Sequence, residues 1–174
     1  QVLNALDGNA VQAVNLHGLN MKSAGRLAPY INLIEKLGKI YYQIESAPAE
    51  RVEIVYSGDI SKEETRLLTL SYLTGLLQPV TDERVNFVNV EMITNDRGIE
   101  VIESKDMQTE DYTNLIDVKV ENREREITFG GTIFGKKEPR IIEFDGYEVD
   151  FTPTAHTLLV QNMDKPGVIG QVCT

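Results

Sequence analysis

Cysteine, histidine and tryptophan are nearly absent from this sequence, and long apolar runs are absent altogether. Its 174 residues include one cysteine, Cys173, two histidines and no tryptophan. A single thiol cannot form an internal disulfide, so cysteine usage does not point to an oxidising compartment. No stretch reaches the roughly 18 consecutive apolar residues of a membrane-spanning helix, and no signal peptide is recognisable. We therefore expect a cytoplasmic protein without a membrane partner.

Positive charge is also scarce. Lys and Arg number 17 against 27 Asp and Glu, which leaves a formal net charge of −10 at pH 7. Because such an acidic surface repels nucleic acid at long range, we expect no nucleic-acid partner. An anionic ligand would have to be bound by local cations or backbone amides, against the overall field.

Residues of the usual catalytic and metal-binding kinds form no recognisable motif. A Ser/His/Asp triad needs a histidine, and neither His17 nor His156 stands in a nucleophile context. No cluster of Cys, His or carboxylate residues has the spacing of metal ligands. Neither a glycine-rich dinucleotide loop after a strand nor a P-loop is present. The sequence thus predicts no catalytic residue, no metal and no cofactor for this chain itself.

Apolar residues at three- and four-residue steps predict a long amphipathic helix over residues 23–45. Pro29 is expected near its first turn, where the missing N–H costs least. Gly38 inside the helix costs about 1 kcal/mol relative to alanine, which indicates a close packing partner at that point.

Two more helices are predicted from their start and stop signals. Ser61 and Glu64 have the spacing of a capping box, so the second helix is expected from Ser61 to about residue 77, ended by Pro79. The third is expected over residues 86–97, between an asparagine cap at its start and a glycine just after its end.

Alternating apolar residues then predict a sheet. The predicted strands cover residues 51–57, 99–104, 115–121, 126–134, 140–144 and 147–151. Asp145-Gly146 predicts a type I′ hairpin, with Ile142 and Phe144 on the same face as the apolar residues of the last strand. Gly130-Gly131 within a strand predicts a bulge or a close backbone approach. The fold class is therefore α+β, a two-layer sandwich of an antiparallel-rich sheet and helices.

Both ends of the sequence predict a piece of a longer polypeptide. Residues 2–7 followed by Gly8 have the pattern of a last helical turn and its glycine cap. After a candidate linker near residue 153, an apolar strand over 156–163 leads into the start of a helix. Since a strand and half a helix cannot form a domain, we expect a second, truncated module there. An unpaired strand of this kind should pair with another chain or be disordered.

The loop between that strand and helix is a candidate ligand site. Free backbone N–H groups at a helix start favour a carboxylate or phosphate, while Asn162 and Asp164 could bind an ammonium or hydroxyl group. The simpler interpretation is an ordinary turn with an aspartate cap. Lys105 and Lys165, at the ends of predicted elements, are candidates for an anion site, although solvated lysines are the ordinary alternative.

Residues 158–170, which read LLVQNMDKPGVIG, closely resemble the first strand, loop and helix start of an ACT domain, a βαββαβ module that binds amino acids. The residues before them resemble the intervening, or allosteric substrate-binding, domain of long-form D-3-phosphoglycerate dehydrogenases. The matching segments are 9–15, 27–30, 35–38, 87–89, 97–99, 131–135 and 141–151. Residues 2–8 are similar to the end of the dehydrogenase domain of that family.

The resemblance implies three parts. Residues 1–8 would be a remnant of the dehydrogenase domain, residues 9–152 the intervening domain, and residues 153–174 a truncated ACT domain. The parent would be a cytoplasmic, oligomeric, NAD-dependent enzyme that oxidises 3-phosphoglycerate in the first step of L-serine biosynthesis. Its NAD-binding and catalytic residues would lie outside this chain, which would have a regulatory role.

The resemblance also implies ligand sites. Asn162, Asp164 and Gly167 match positions of the ACT loop that hold L-serine as an effector. Lys105 and Lys165 match two cations of an anion site for phosphate or a phosphorylated substrate in the intervening domain. A third cation of that site, an arginine in the relatives, is replaced around residues 113–114.

Two other assignments are compatible with the pattern. An iron–sulfur L-serine dehydratase also combines such a domain with an ACT module, but the dehydrogenase-like start argues against it. A free-standing small-molecule-binding or enzymatic domain is disfavoured by the lack of catalytic motifs.

Overall fold

The computed structural model describes residues 21–109, 112–135 and 137–161. Its elements are α1 (Met21–Ile44), β1 (Arg51–Gly58), a 3₁₀ turn (Asp59–Lys62), α2 (Arg66–Leu77), a second 3₁₀ turn (Gln78–Val80), α3 (Val90–Asp96), β2 (Glu100–Asp106), β3 (Asn114–Glu121), β4 (Glu126–Phe134), β5 (Glu138–Phe144) and β6 (Tyr147–Phe151). The helix end predicted before Gly8 and the ACT-like loop lie outside the described residues.

The six strands form one sheet in the order β2-β1-β3-β4-β5-β6. The six strands predicted between residues 51 and 151 are confirmed, with ends within two residues of their predicted positions. Neighbouring strands run antiparallel except β1 and β2, which are parallel and joined by a crossover through α2 and α3. The predicted α+β class is therefore confirmed, while the parallel pair was not predicted.

One face of the sheet is covered by the helices. Residues of β1 and β3 alternate between buried and half-buried, as expected for strands with one face on a core. The largest fully buried side chains come from both layers and include Tyr41, Tyr56, Tyr72 and Phe129. Burial of this apolar face is the main stabilising term of the fold.

The helices α1 and α2 cross in backbone contact. Gly38 of α1 faces the backbone of α2 so closely that an added Cβ would lie 2.7 Å from the Leu76 amide nitrogen. Gly75 of α2 has the same relation to Glu35, whose Cα would lie 3.2 Å from an added Cβ. The close packing partner predicted at Gly38 is thus confirmed. The placement of Pro29 near the first turn was wrong, because α1 begins at Met21 and Pro29 lies inside it.

The start of α2 differs from the prediction. Ser61 does not cap the helix, since its hydroxyl donates to the Gly58 carbonyl at 2.7 Å within the turn that follows β1. The helix begins only at Arg66, with Thr65 at its cap position. The capping-box prediction was wrong because the chain must first reverse direction after β1, and Ser61 is used in that reversal.

The third helix, α3, is shorter than predicted. Its regular part covers Val90–Asp96, and the Asn86 side chain accepts hydrogen bonds from the backbone of Val88 and Asn89 in the turn before it. Gly98, with φ of 70°, terminates the helix as predicted.

The β5–β6 hairpin has the predicted turn, with positive φ at both Asp145 and Gly146. Its face assignment was partly wrong, because Ile141 is fully buried and Ile142 is not. Gly130 pairs with Glu143 and Gly131 pairs with Ile141, so one extra residue interrupts the alternation of β5. The bulge predicted at the glycine pair is confirmed.

Residues 152–161 follow β6 without regular structure. Pro153 is buried, and its carbonyl accepts a hydrogen bond from Lys36 Nζ at 2.6 Å. The strand predicted over 156–163 is therefore not formed in its described part, residues 156–161. Pairing with another chain was expected from that strand, so the strand no longer supports a dimer. The ACT-like module and the domain boundary near residue 153 stay predictions. Over the described ranges, no helix combines the length and hydropathy needed to cross a bilayer.

Candidate anion-binding site

Lys105, the one predicted site residue that the structure describes, lies near the carboxyl end of β2. It is paired with Tyr56 of the parallel strand β1, so the carboxyl ends of both strands lie side by side at the same end of the sheet. In open α/β sheets, ligands bind beyond the carboxyl ends of parallel strands, where the connections diverge. The topology therefore brings Lys105 to a place suited to a ligand.

Buried and half-buried hydrogen bonds hold β2 against α2 beside Lys105. The Glu103 carboxylate accepts hydrogen bonds from the hydroxyls of Thr65 and Thr69, the second at 2.6 Å. The Tyr56 hydroxyl is bonded to Thr69 at 2.9 Å. Because these bonds join the start of α2 to both parallel strands, they set the position of the strand that carries Lys105.

The turn after β1 is fixed by contacts with β3 and α1. Gly58 has φ of 85°, and an added Cβ would lie 3.1 Å from the carbonyl carbon of Thr113. The Asn114 side chain accepts a hydrogen bond from the Ile60 amide at 2.6 Å and donates one to the Tyr30 hydroxyl at 2.8 Å. Residues around 113–114, where the resemblance implies that a third cation is replaced, thus anchor the turn.

Three cations converge on this turn, and we call them the Lys105 cluster: Lys105, Arg26 and Lys62. Lys105 Nζ donates to the Glu63 carbonyl oxygen at 2.9 Å, and Arg26 forms an ion pair with the Glu63 carboxylate at 2.7 Å. Lys62 pairs with Asp59 at 2.7 Å. Neither Arg26 nor Lys62 was singled out from the sequence, because they belong to α1 and to the turn after β1. The available signal was Lys62, a lysine four residues after the end of β1, and such a lysine is too common to be specific.

The ion pairs of this cluster are exposed and therefore weak. The side chains of Arg26 and Lys62 are 69% and 63% exposed, and pairs of this kind contribute little net stability. The hydrogen bond from Lys62 lowers the pKa of Asp59. Burial raises the pKa of Tyr30, so its phenol stays neutral beside the cluster. An incoming dianion could replace the two carboxylates at small cost and gain charge-assisted hydrogen bonds.

The remaining predicted site residues are Asn162, Asp164, Lys165 and Gly167, and all four lie outside the described residues. The structure therefore brings Lys105 together with two new cations and does not place the effector loop. Of the two histidines, His156 is exposed and its carbonyl accepts a hydrogen bond from the Thr154 hydroxyl. In the part of the chain that the structure describes, no group of three or more His, Cys, Asp or Glu residues could hold a metal ion.

Comparison with known proteins identifies the family. The sequence model of the D-3-phosphoglycerate dehydrogenase intervening domain matches residues 26–145, well over half of the chain. Curated relatives called D-3-phosphoglycerate dehydrogenase come from Methanocaldococcus jannaschii, Archaeoglobus fulgidus and Bacillus subtilis, with 37%, 34% and 34% identity.

These alignments cover nearly all of this chain but only part of each relative. The first two matches cover 99% of the chain and 33% of the relative, and the third covers 93% and 31%. The chain thus spans about a third of the length of the curated relatives it matches. The matched family domain contains most of α1, the whole crossover and the sheet up to the end of β5, with the Lys105 cluster. The chain belongs to the D-3-phosphoglycerate dehydrogenase intervening-domain family.

Proposed function

We propose that this chain is the regulatory region of an NAD-dependent D-3-phosphoglycerate dehydrogenase, the oxidoreductase of the first step of L-serine biosynthesis. The observation that carries the proposal is the near-complete match to one third of proteins that bear this name. In this proposal NAD and the catalytic residues belong to the rest of the parent enzyme, which is cytoplasmic and homo-oligomeric.

The Lys105 cluster is proposed as the site for an anionic effector or the phosphorylated substrate. A phosphate group has several acceptor oxygens, and Lys105, Arg26 and Lys62 can donate to them from three different elements. Since two of these elements are α1 and β2, a bound phosphate would tie the helix layer to the edge of the sheet. This link is a physical route by which ligand binding could alter contacts with neighbouring domains.

The ACT-like loop is proposed as the second effector site. Asn162, Asp164 and Gly167 would hold L-serine, with Lys165 completing the anion site. Because only the start of that module is present, we expect the chain alone to bind L-serine weakly or not at all. The similarity to dehydrogenases over nearly the whole chain favours this assignment over an L-serine dehydratase or a free-standing binding domain.

Isothermal titration of the 174-residue chain with 3-phosphoglycerate and with inorganic phosphate tests the anion site. We expect saturable binding that weakens with salt, and at least a tenfold loss of affinity in Lys105→Ala, because a charge-assisted hydrogen bond contributes roughly 1.5–3 kcal/mol. Lys137→Ala, which removes an exposed lysine of the β4–β5 connection, is the matched control. Equal affinities for the two variants, or no binding by the unmodified chain, would contradict the proposal.

A further inference from the structure

A groove lies at the edge of the sheet opposite to Lys105. It encloses about 550 Å³ between the end of α1, the β5–β6 hairpin and residues 159–161. We call it the hairpin groove. Its apolar lining residues are Ile44, Phe144, Tyr147, Val149, Leu159 and Val160.

The walls of the hairpin groove are unusually open to solvent for apolar side chains. Tyr147 is 56% exposed, Val160 50% and Leu159 44%, and the adjoining Leu158 is 81% exposed. A contiguous apolar surface of this kind marks a binding site more often than isolated apolar residues do. Because the walls are this exposed, the groove suits a chain segment better than an enclosed small molecule.

Strand β6 forms one side of the groove and is the last strand of the sheet. In the described chain no strand pairs with its outer edge, and residues 152–161 make no backbone hydrogen bond to it. An edge strand has free backbone donors and acceptors that pair readily with an extended segment. The backbone therefore favours an extended occupant.

Charge decides which kind of segment fits. Residues 138–151 contain five carboxylates and a single arginine. That arginine, Arg140, is held by Glu138 and Asp150 at 2.8 and 3.0 Å. Among the described residues that line the groove itself, Arg125 is the one cation, against the carboxylates of Asp145 and Glu148. Arg125 is held by Glu45 and Asp145 at 3.1 and 2.9 Å.

The rim of the groove is consequently negative. A second copy of this chain would bring the same acidic hairpin against it, and like charges at short range oppose such a contact. An anionic ligand is opposed in the same way. A positively charged occupant gains attraction from the same carboxylates, and its apolar residues can cover the exposed groove walls.

We propose that the hairpin groove binds an extended segment of another protein in which basic residues alternate with apolar ones. The apolar side chains cover Tyr147, Leu159 and Val160, the basic side chains face Glu148 and its acidic neighbours, and the backbone pairs with β6. This interaction is separate from the proposed anion site, which lies at the other edge of the sheet.

Fluorescence anisotropy of a labelled peptide of alternating lysine and valine, added to the 174-residue chain, tests the proposal. We expect saturable binding that weakens as salt is raised, at least tenfold weaker binding by Glu148→Lys, and weaker binding by Tyr147→Ser. Both residues are exposed, so the variants should fold. Glu83→Lys, the same charge reversal at an exposed position in the α2–α3 connection, is the control and should bind normally. Amide chemical-shift changes in the unmodified chain should centre on β6.

Several results would overturn the proposal. They are an absence of peptide binding, equal binding of a peptide with glutamate in place of lysine, and an equal loss in Glu83→Lys. A further one is a concentration-dependent dimer in sedimentation that is disrupted by Tyr147→Ser, because the occupant would then be a second copy.

Discussion

The crossing of α1 and α2 offers the sharpest test of the packing, through the substitution Gly38→Ala. In an ordinary helix interior this change stabilises by about 1 kcal/mol, because glycine has the larger entropy to lose. Here the new Cβ would overlap the Tyr72 carbonyl oxygen and lie 2.7 Å from the Leu76 amide nitrogen. Both contacts are with backbone atoms, so no side-chain rotation can relieve them.

The expected magnitude follows from how far the helices must separate. Ordinary contacts of a Cβ atom begin at 3.4 Å, so α1 and α2 must move apart by several tenths of an ångström or more. Overpacking of this kind costs roughly 1–3 kcal/mol, and the separated helices also lose packing along their shared apolar face. After the helix-propensity gain, we expect a net destabilisation of about 2 kcal/mol.

Urea and thermal unfolding followed by circular dichroism would measure this change. For a chain of this size, about 2 kcal/mol lowers Tm by roughly 4–8 °C. Asn32→Ala, at an exposed position of the same helix, reports helix propensity alone and should be neutral or slightly stabilising. Gly38→Ala combined with Gly75→Ala should cost less than the sum of the single changes, because both act on one crossing. A stabilising Gly38→Ala would refute the close crossing.

Three further predictions concern the sheet and the turn after β1. Burial, with a smaller effect of Glu143, raises the pKa of Asp117 from its usual 3.8 to about 6, so the native state binds the extra proton and stability should fall as pH rises from about 4 to about 6. Asp117→Asn should therefore be more stable than the unmodified chain at pH 7, by about 1–2 kcal/mol once partial exposure is allowed for, and should lose most of this pH dependence in unfolding titrations. Gly58→Ala should cost at least about 2 kcal/mol in urea unfolding, because its φ of 85° and its contact with Thr113 both exclude a side chain, and a neutral result would contradict the tight turn. Asn114→Ala should cost about 1–3 kcal/mol by leaving two polar groups without their partner, and phosphate affinity should fall as the turn loosens; unchanged stability and affinity would show that the anchor is unimportant.

The predicted elements were most accurate where the pattern is local. The strand Glu126–Phe134 was predicted to the residue, since alternation of apolar side chains depends only on the strand's own sequence. The Asp145-Gly146 turn was likewise correct, because few residues tolerate two consecutive positive φ angles.

Errors arose where one residue could serve two partners. Ser61 and Glu64 have the spacing of a capping box, but the turn after β1 uses the Ser61 hydroxyl for its own closure. Strict alternation predicts Ile142 on the same face as Phe144, but the extra residue between Ile141 and Glu143 breaks that alternation. Neither competition is visible without the neighbouring strand.

The candidate site was predicted only through Lys105. Its partners Arg26 and Lys62 are 79 and 43 positions earlier in the chain, and no local pattern connects them to β2. Their meeting depends on the parallel pairing of β1 with β2, which places the ends of both strands at one edge.

The sequence by itself determined most of the helical and strand segments, most of their apolar faces, the hairpin turn and the family resemblance, because these depend on residues close together in the chain. Only the tertiary structure decided the parallel β1–β2 pair, the backbone contact at Gly38 and Gly75, the three cations around Glu63 and the acidic groove beside β6. The physical reason is that pairing and packing between distant segments are set by the competition of all available partners in three dimensions, which no short stretch of sequence contains.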